Sequence, residues 1–474
     1  MRSRQRGGRA QLSAAAILLV LVAGCGQAGR DPSASSAPPA CDSQTAGATS
    51  STTNLGPGDL VIVGRIVTMD EPPIAEAILI EDGSVVASGT RDDVLARACG
   101  DTPVMDIGEN VAYPGFIDAH AHWIGDREYY DLDTPAEAMD AAAIRGWTSI
   151  SEQWVNPERL TELESLAAAG ALPLRVDAYL ALNFEQEFLG DWHLEREPGS
   201  VDDHLRVRGV KIHLDHGLLG PINWERADLV DAVGRATEAG WQVSVHTARA
   251  PAMDLALDAF EAALGPTGPN PLHHRIEHAI QVTDRQLARL AAMDLAMVIH
   301  LDGARDWILG DAARDQFERD EPDARIDWIA RWRDFVDAGL HVASATDAPW
   351  TFKDFVLAAD QGRPVDQVAS GMDGYARTQP ETPAWLRDQL LTAQQGLRAV
   401  TLDAAWALGD DARRGHLAPG TLGDVTILSG DVTSATPDEI RAMEVIATIM
   451  GGSAVYCSAP EVCGGSCGPP RPAR

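Results

Sequence analysis

The chain has 474 residues, 45% of them apolar and 23% charged, with a formal net charge of −32. That length exceeds one small core and suits a barrel of about 250–350 residues with a second, smaller domain. The acidity excludes nucleic acid as a partner, because neutralising phosphates needs a basic face. It also excludes broad contact with anionic lipid headgroups, and it reads as a solubilising surface.

Arg2, Arg4, Arg6 and Arg9 precede the apolar run Ala14–Val22, the pattern of an export signal. The run is too short for the roughly 20 residues of a membrane span. It ends in Val22-Ala23-Gly24-Cys25, which resembles a bacterial lipobox, whose cysteine is lipidated and becomes the mature N-terminus. A plain cleavable signal is the alternative. Residues 1–25 are therefore expected to be a lipoprotein signal peptide. Residues 26–58, rich in Ser, Ala, Pro, Gly and Thr, are expected to be a disordered tether. The expected location is the cell envelope, periplasmic or extracellular, touching the membrane only through the lipid on Cys25.

From Asp59 to about Ala112 the texture is short strands: Leu60–Val63, Ile66–Met69, Ala77–Ile80 and Val85–Ser88. Asp82-Gly83 between two apolar runs predicts a hairpin, since Gly takes the positive φ of a tight turn. Between Pro114 and about Leu408 strands alternate with helices. The strands are read at Gly115–Ala119, Thr148–Glu152, Leu174–Leu182, Val210–Leu214, Gln242–His246, His274–His278, Met297–Leu301 and His341–Thr346. Helical runs lie between them, among them Trp224–Ala239, Pro251–Leu264 and Asp284–Met293. Eight such units predict an α/β fold, a (β/α)8 TIM-type barrel over residues 114–415. Strand texture returns at Asp424–Leu428 and Glu444–Met450, so segments 59–113 and 416–457 are expected to combine into a small β-sandwich domain. Cys41, Cys99, Cys457, Cys463 and Cys467 suit disulfides in an exported chain; an odd number leaves one unpaired, and the pairing stays open. In the Gly- and Pro-rich tail, 458–474, a disulfide loop is favoured over a metal knuckle, because no histidine lies near.

The strongest chemical signal is Pro114-Gly115-Phe116-Ile117-Asp118-Ala119-His120-Ala121-His122. Alternation along a strand turns His120 and His122 to one side, and the C-terminal end of a barrel strand faces the active-site mouth. Two neutral imidazoles aimed at one point make half of a metal site. Four more polar residues sit in or at the ends of apolar strand-like runs: Lys211, His246, His278 and Asp347. Only Lys211 and Lys353 of the 38 basic residues are lysines, and a buried ammonium is costly unless its pKa falls or it is paired or modified. Glu152, ending the second strand, is a spare carboxylate that could bridge in place of Lys211. His213 is expected on the face opposite Lys211, in a packing role. His216 and His300 are candidates for contact with substrate. Arg275 is read either as a ligand for a substrate carboxylate or as an ion-pair partner behind the site, and Trp123 as packing at the barrel mouth.

These runs, together with Gly209-Val210-Lys211-Ile212, Arg275-Ile276-Glu277-His278-Ala279 and Thr346-Asp347-Ala348-Pro349, resemble the amidohydrolase superfamily. Within it the resemblance is to the amidohydrolase-3 branch, which includes N-substituted formamide deformylases and D-aminoacylases, over roughly residues 59–457. The resemblance implies two divalent metal ions, of which zinc is the expected identity. His120 and His122 would hold the more buried ion, and Lys211, carbamylated by CO2, would bridge. His246 and His278 would hold the second ion. Asp347 would ligate the first and act as general base and acid. The implied function is hydrolysis of an amide or other non-peptide C–N bond of a small molecule by a metal-activated water. Asp215-His216-Gly217 departs from the Asp-Gly-Ser usual after that lysine strand, and the stretch from His122 to Lys211 is short. A deaminase or dipeptidase on the same scaffold, or a surface lipoprotein that binds without turnover, are the alternatives. A one-metal deaminase would have no need of Lys211.

Overall fold

The computed structural model describes residues 58–184, 186–217, 220–302, 326–350, 361–375 and 381–464. The expected signal, Cys25, the tether up to residue 57, Cys41 and Cys467 lie outside them. Among the described residues no helix is long and apolar enough to cross a membrane.

The first strands are β1 (Leu60–Val67), β2 (Ile74–Glu81), β3 (Ser84–Gly89) and β4 (Val104–Pro114). The two short runs expected between Leu60 and Met69 form one strand, with a register break between Val63 and Ile66. Asp82 and Gly83 both take positive φ, +48° and +78°, the mirror-image turn that matches strand twist. The barrel strands follow: β5 (Phe116–Ala121), β6 (Trp147–Val155) and β7 (Arg175–Ala181). Next come the small hairpin β8 (Asn183–Phe184) and β9 (Glu187–Phe188), and then β10 (Gly199–Ser200), which pairs with β11 (Leu205–His213). The barrel continues through β12 (Gln242–Thr247), β13 (Arg275–His278), β14 (Ala296–Ile299) and β15 (Val342–Ser344). The chain ends in β16 (Val425–Leu428), β17 (Val445–Met450) and β18 (Ser453–Cys457).

All eight expected barrel strands are present, in the parallel order β5-β6-β7-β11-β12-β13-β14-β15. They are nearly continuous apolar runs because helices cover the outer face; Arg226–Glu238, Ala250–Leu264 and Asp284–Met293 lie where helical texture was expected. Closure occurs at the C-terminal ends. The Asp347 amide donates to His120 O at 2.8 Å, and the His122 amide donates to Ala348 O at 2.9 Å. Both chain ends build the second domain, one seven-stranded, mostly antiparallel sheet in the order β18-β17-β16-β4-β1-β2-β3. Its core joins Ile62, Ile78 and Ile80 to Val425, Ile427 and Ile449. A bidentate pair, Arg175 to Asp424 at 2.6 and 2.9 Å, fastens this sheet to β7 of the barrel. Gly115 is the joint between sheet and barrel: a Cβ there would stand 2.3 Å from Thr148 Oγ1 and 2.9 Å from Asp424 Cβ, so only glycine fits. In the tail, Cys457 and Cys463 form a disulfide, the loop favoured over a metal knuckle; Cys99 is disulfide-bonded as well.

Candidate metal centre

His120 lies at the end of β5 and His122 directly after it, both buried. Their Nε2 atoms stand 3.4 and 3.3 Å from one oxygen of Asp347, Oδ1. Metal–ligand bonds near 2.1 Å place two ligands of one tetrahedral ion about 3.4 Å apart, so this triad has the spacing of a cation site. The imidazole of His120 is aimed from behind: its Nδ1 lies 2.5 Å from Glu277 Oε2, leaving Nε2 for the site. Glu277 also accepts from Arg275 Nε at 2.5 Å, Arg275 Nη2 at 2.8 Å and Ser244 Oγ at 2.9 Å. Burial alone would raise its pKa, but Arg275 and His120 hold it well below the usual carboxylate range. Burial lowers the His120 pKa to about 4, so the ring is neutral and able to ligate.

Asp347 is fixed from a second direction. Asp118, fully buried on β5, accepts from Thr346 N at 2.9 Å, Thr346 Oγ1 at 2.6 Å and Trp123 Nε1 at 2.9 Å. The strand carrying His120 is thereby tied to the residue beside Asp347. Asp347 and His278 both adopt left-handed backbone, at φ +51° and +67°, a strained choice for non-glycine residues that concentrates at functional sites. Burial opposes ionisation of Asp347, yet the imidazoles of His120 and His122 beside it hold its pKa well below the usual value.

A second group lies on the other oxygen of Asp347. Oδ2 is 3.9 Å from His278 Nδ1 and 3.8 Å from His300 Nε2, and those two nitrogens are 2.6 Å apart. These three atoms lie within 4.8 Å of one another, so Asp347 is shared by two candidate sites, the second closed here by the His278–His300 hydrogen bond. His300, read from sequence as a substrate contact, stands here as a potential ligand; the signal was its place just after the apolar strand β14. His246 adjoins the group, with its ring 4.3 Å from that of His278, but lies outside both ligand triads. Its Nε2 is 3.4 Å from Asp215 Oδ1.

Lys211 is fully buried, and among the described residues its Nζ has no hydrogen-bond partner. Burial lowers its pKa to about 8. His122 Nδ1 and His246 Nε2 are likewise buried without a hydrogen bond. The buried, unpartnered Lys211 Nζ and the set of imidazole and carboxylate donors on Asp347 fit divalent cations. Glu152, the alternative to Lys211, accepts from the Ile124 and Gly125 amides at 3.1 and 2.6 Å, fastening the turn after His122.

One expectation is corrected. His213 does not face away from Lys211. Residues two apart on a strand share a face, and the His213 ring stands 4.7 Å from that of His246. Of the two readings of Arg275, the structure matches the ion-pair partner behind the site. Arg275 is 0% exposed and committed to Glu277 and to Ala119 O at 2.5 Å. His216 is exposed, with its ring 5.9 Å from His213, and Trp123 is buried, stacked on Tyr130. Sequence reasoning missed Glu277, visible only as part of Arg275-Ile276-Glu277, and Trp154. Trp154 adopts φ +56° and lays its ring 4.8 Å from that of His122.

The barrel, the strand-end ligands and the shared carboxylate define a metal-dependent hydrolase fold. The fold is shared with solved structures: an uncharacterized metal-dependent hydrolase of Pyrococcus horikoshii superposes with a TM-score of 0.65 at 17% identity, over 80% of this chain and 99% of that one. Residues 130–456 match the amidohydrolase family (amidohydrolase-3), and the chain belongs to that family. It is 26% identical over 342 residues to the amidohydrolase YtcJ of Bacillus subtilis, over 70% of this chain and 57% of that one. It is 24% identical over 251 residues to an N-substituted formamide deformylase of Arthrobacter pascens, over 52% of this chain and 42% of that one. The chain thus spans about half the length of these two curated relatives.

Proposed function

We propose that this protein hydrolyses an amide or other non-peptide C–N bond of a small molecule, using two divalent ions, zinc being the expected identity. The carrying observation is the two-sided Asp347, with His120 and His122 on Oδ1 and His278 and His300 on Oδ2. Ions held there would lower the pKa of a bound water and polarise a carbonyl. In this reading Lys211, carbamylated by CO2, is the further bridge, which accounts for a buried amine with no partner. His246 completes the second site, with His300 or in its place. Asp347, held ionised by its histidines, takes the proton of the water and returns it to the leaving nitrogen. The similarity to a formamide deformylase supports a non-peptide amide as substrate.

The test is metal content of protein purified without chelator, together with turnover of a panel of N-acyl and formamide substrates. About two metals per chain and hydrolysis of one class support the reading. No metal, and no activity after adding zinc and bicarbonate, overturns it. We further propose that the protein is exported and anchored through a lipid on Cys25, without nucleic-acid partners. The Cys457–Cys463 disulfide supports an oxidising compartment. Fatty-acid labelling that is lost in Cys25→Ser checks the anchor.

A further inference from the structure

The rings at the C-terminal ends of the barrel strands form a closed circuit. His120 and His122 are 5.4 Å apart, His122 and Trp154 4.8 Å, and Trp154 and His213 4.9 Å. His213 and His246 follow at 4.7 Å, His246 and His278 at 4.3 Å, and His278 returns to His120 at 4.8 Å. Five of the six members are imidazoles. The indole of Trp154, from β6, is the one member that cannot ligate a metal.

Trp154 is held in this place against its backbone preference. Its φ of +56° is rare for a bulky side chain, and the strand register breaks between Glu152 and Val155, the kind of irregularity that re-aims a side chain. The same left-handed backbone occurs at His278 and Asp347, both at the centre. On its outer side Trp154 meets Phe184 edge-on at 5.2 Å. Phe184 stands on the β8–β9 hairpin, whose backbone is tethered beside the circuit: the Leu182 amide donates to Lys211 O at 3.0 Å, and Asn183 exchanges hydrogen bonds with the His213 backbone at 2.8 and 2.9 Å. Phe184 is nevertheless 50% exposed. A phenyl group left half in water, fixed next to an indole that touches a metal ligand, is an apolar face leading to the centre.

We infer that Trp154 and Phe184 are positioning residues that dock a flat apolar group of the substrate, an aromatic ring or similar hydrocarbon, beside the bond that is cut. The inference rests on the hydrolase reading and deepens it. Ring pairs of this geometry are worth roughly 0.5–1.5 kcal/mol beyond buried area, and two such contacts convert to about a tenfold preference.

The probes are acetohydroxamate and benzohydroxamate, which share one metal-binding head and differ as methyl against phenyl. Binding to the zinc-loaded, full-length protein is measured by calorimetry, without turnover. Benzohydroxamate should bind about tenfold tighter. Phe184→Ala, at a half-exposed position, should cut that preference to below about threefold, leaving zinc content and acetohydroxamate affinity unchanged. Trp154→Phe should keep most of the preference, and Trp154→Ala should lose it. Equal binding of the two probes, or a preference that survives Phe184→Ala, overturns the docking face. Binding of neither probe overturns the metal-centre reading itself, and the docking face with it.

Discussion

His120 and Glu277 sit on β5 and β13, strands that are not neighbours in the sheet, yet His120 Nδ1 and Glu277 Oε2 meet at 2.5 Å across the barrel interior. This contact orients a candidate ligand from behind, and Glu277 is itself anchored by Arg275. Glu277→Gln should weaken metal affinity by about 10–100-fold, the usual effect of losing such a partner. It should also destabilise the fold by up to roughly 3–5 kcal/mol, because Arg275 loses its buried counter-charge. Metal affinity by chelator competition and melting temperature together check this. Unchanged affinity in a folded variant would remove Glu277 from the site.

Asp347 faces His120 and His122 with one oxygen and His278 and His300 with the other. Asp347→Asn is nearly isosteric but can neither accept nor return a proton. Activity should fall by about 10²–10⁴-fold or more, and because the residue touches both ligand groups, metal affinity should weaken at both. Asp347→Asn with near-normal kcat and two bound metals would show that the proton passes elsewhere.

Lys211 has its pKa lowered by burial from 10.5 to about 8. In metal-free protein the unfolded chain then binds more protons between pH 8 and 10.5, so this group makes stability rise with pH across that window. Below pH 8 both states carry the proton and its cost is constant. Lys211→Met should abolish activity and yet stabilise the metal-free fold at pH 7 by on the order of 2–3 kcal/mol. In wild type, only the neutral amine takes up CO2. At a fixed concentration of dissolved CO2, reactivation of chelator-stripped protein should therefore speed up with pH and level off above about 8. A flat pH profile would count against a carbamate on Lys211.

His300 and His246 compete for the second candidate site. His300 belongs to a group of donors close enough to share an ion, whereas His246 adjoins it. If that group is the binding site, His300→Ala should drop metal stoichiometry from about two to about one, and His246→Ala should drop it less. The reverse order would give the ligand role to His246 and leave His300 as a hydrogen-bonding neighbour of His278.

Much of this protein is written locally in its chain. Apolar runs bounded by Gly and Pro mark the barrel strands, and polar residues in or just after them, from His120 to Asp347, stand out because burying such groups without a purpose is unfavourable. Period-two alternation also carries the face of each residue, and His213 belongs with Lys211 on that rule. The rest depends on barrel closure and on backbone irregularity. Closure joins residues far apart in sequence, Asp118 to Thr346 and His120 to Glu277, and brings His300 up to the second oxygen of Asp347. The register break near Trp154 turns an indole toward His122. Positive φ at His278 and Asp347 sets the direction of their side chains. Neither closure nor a left-handed residue leaves a periodic trace in sequence, because both are imposed by contacts with the rest of the barrel and not by the residues' own preferences.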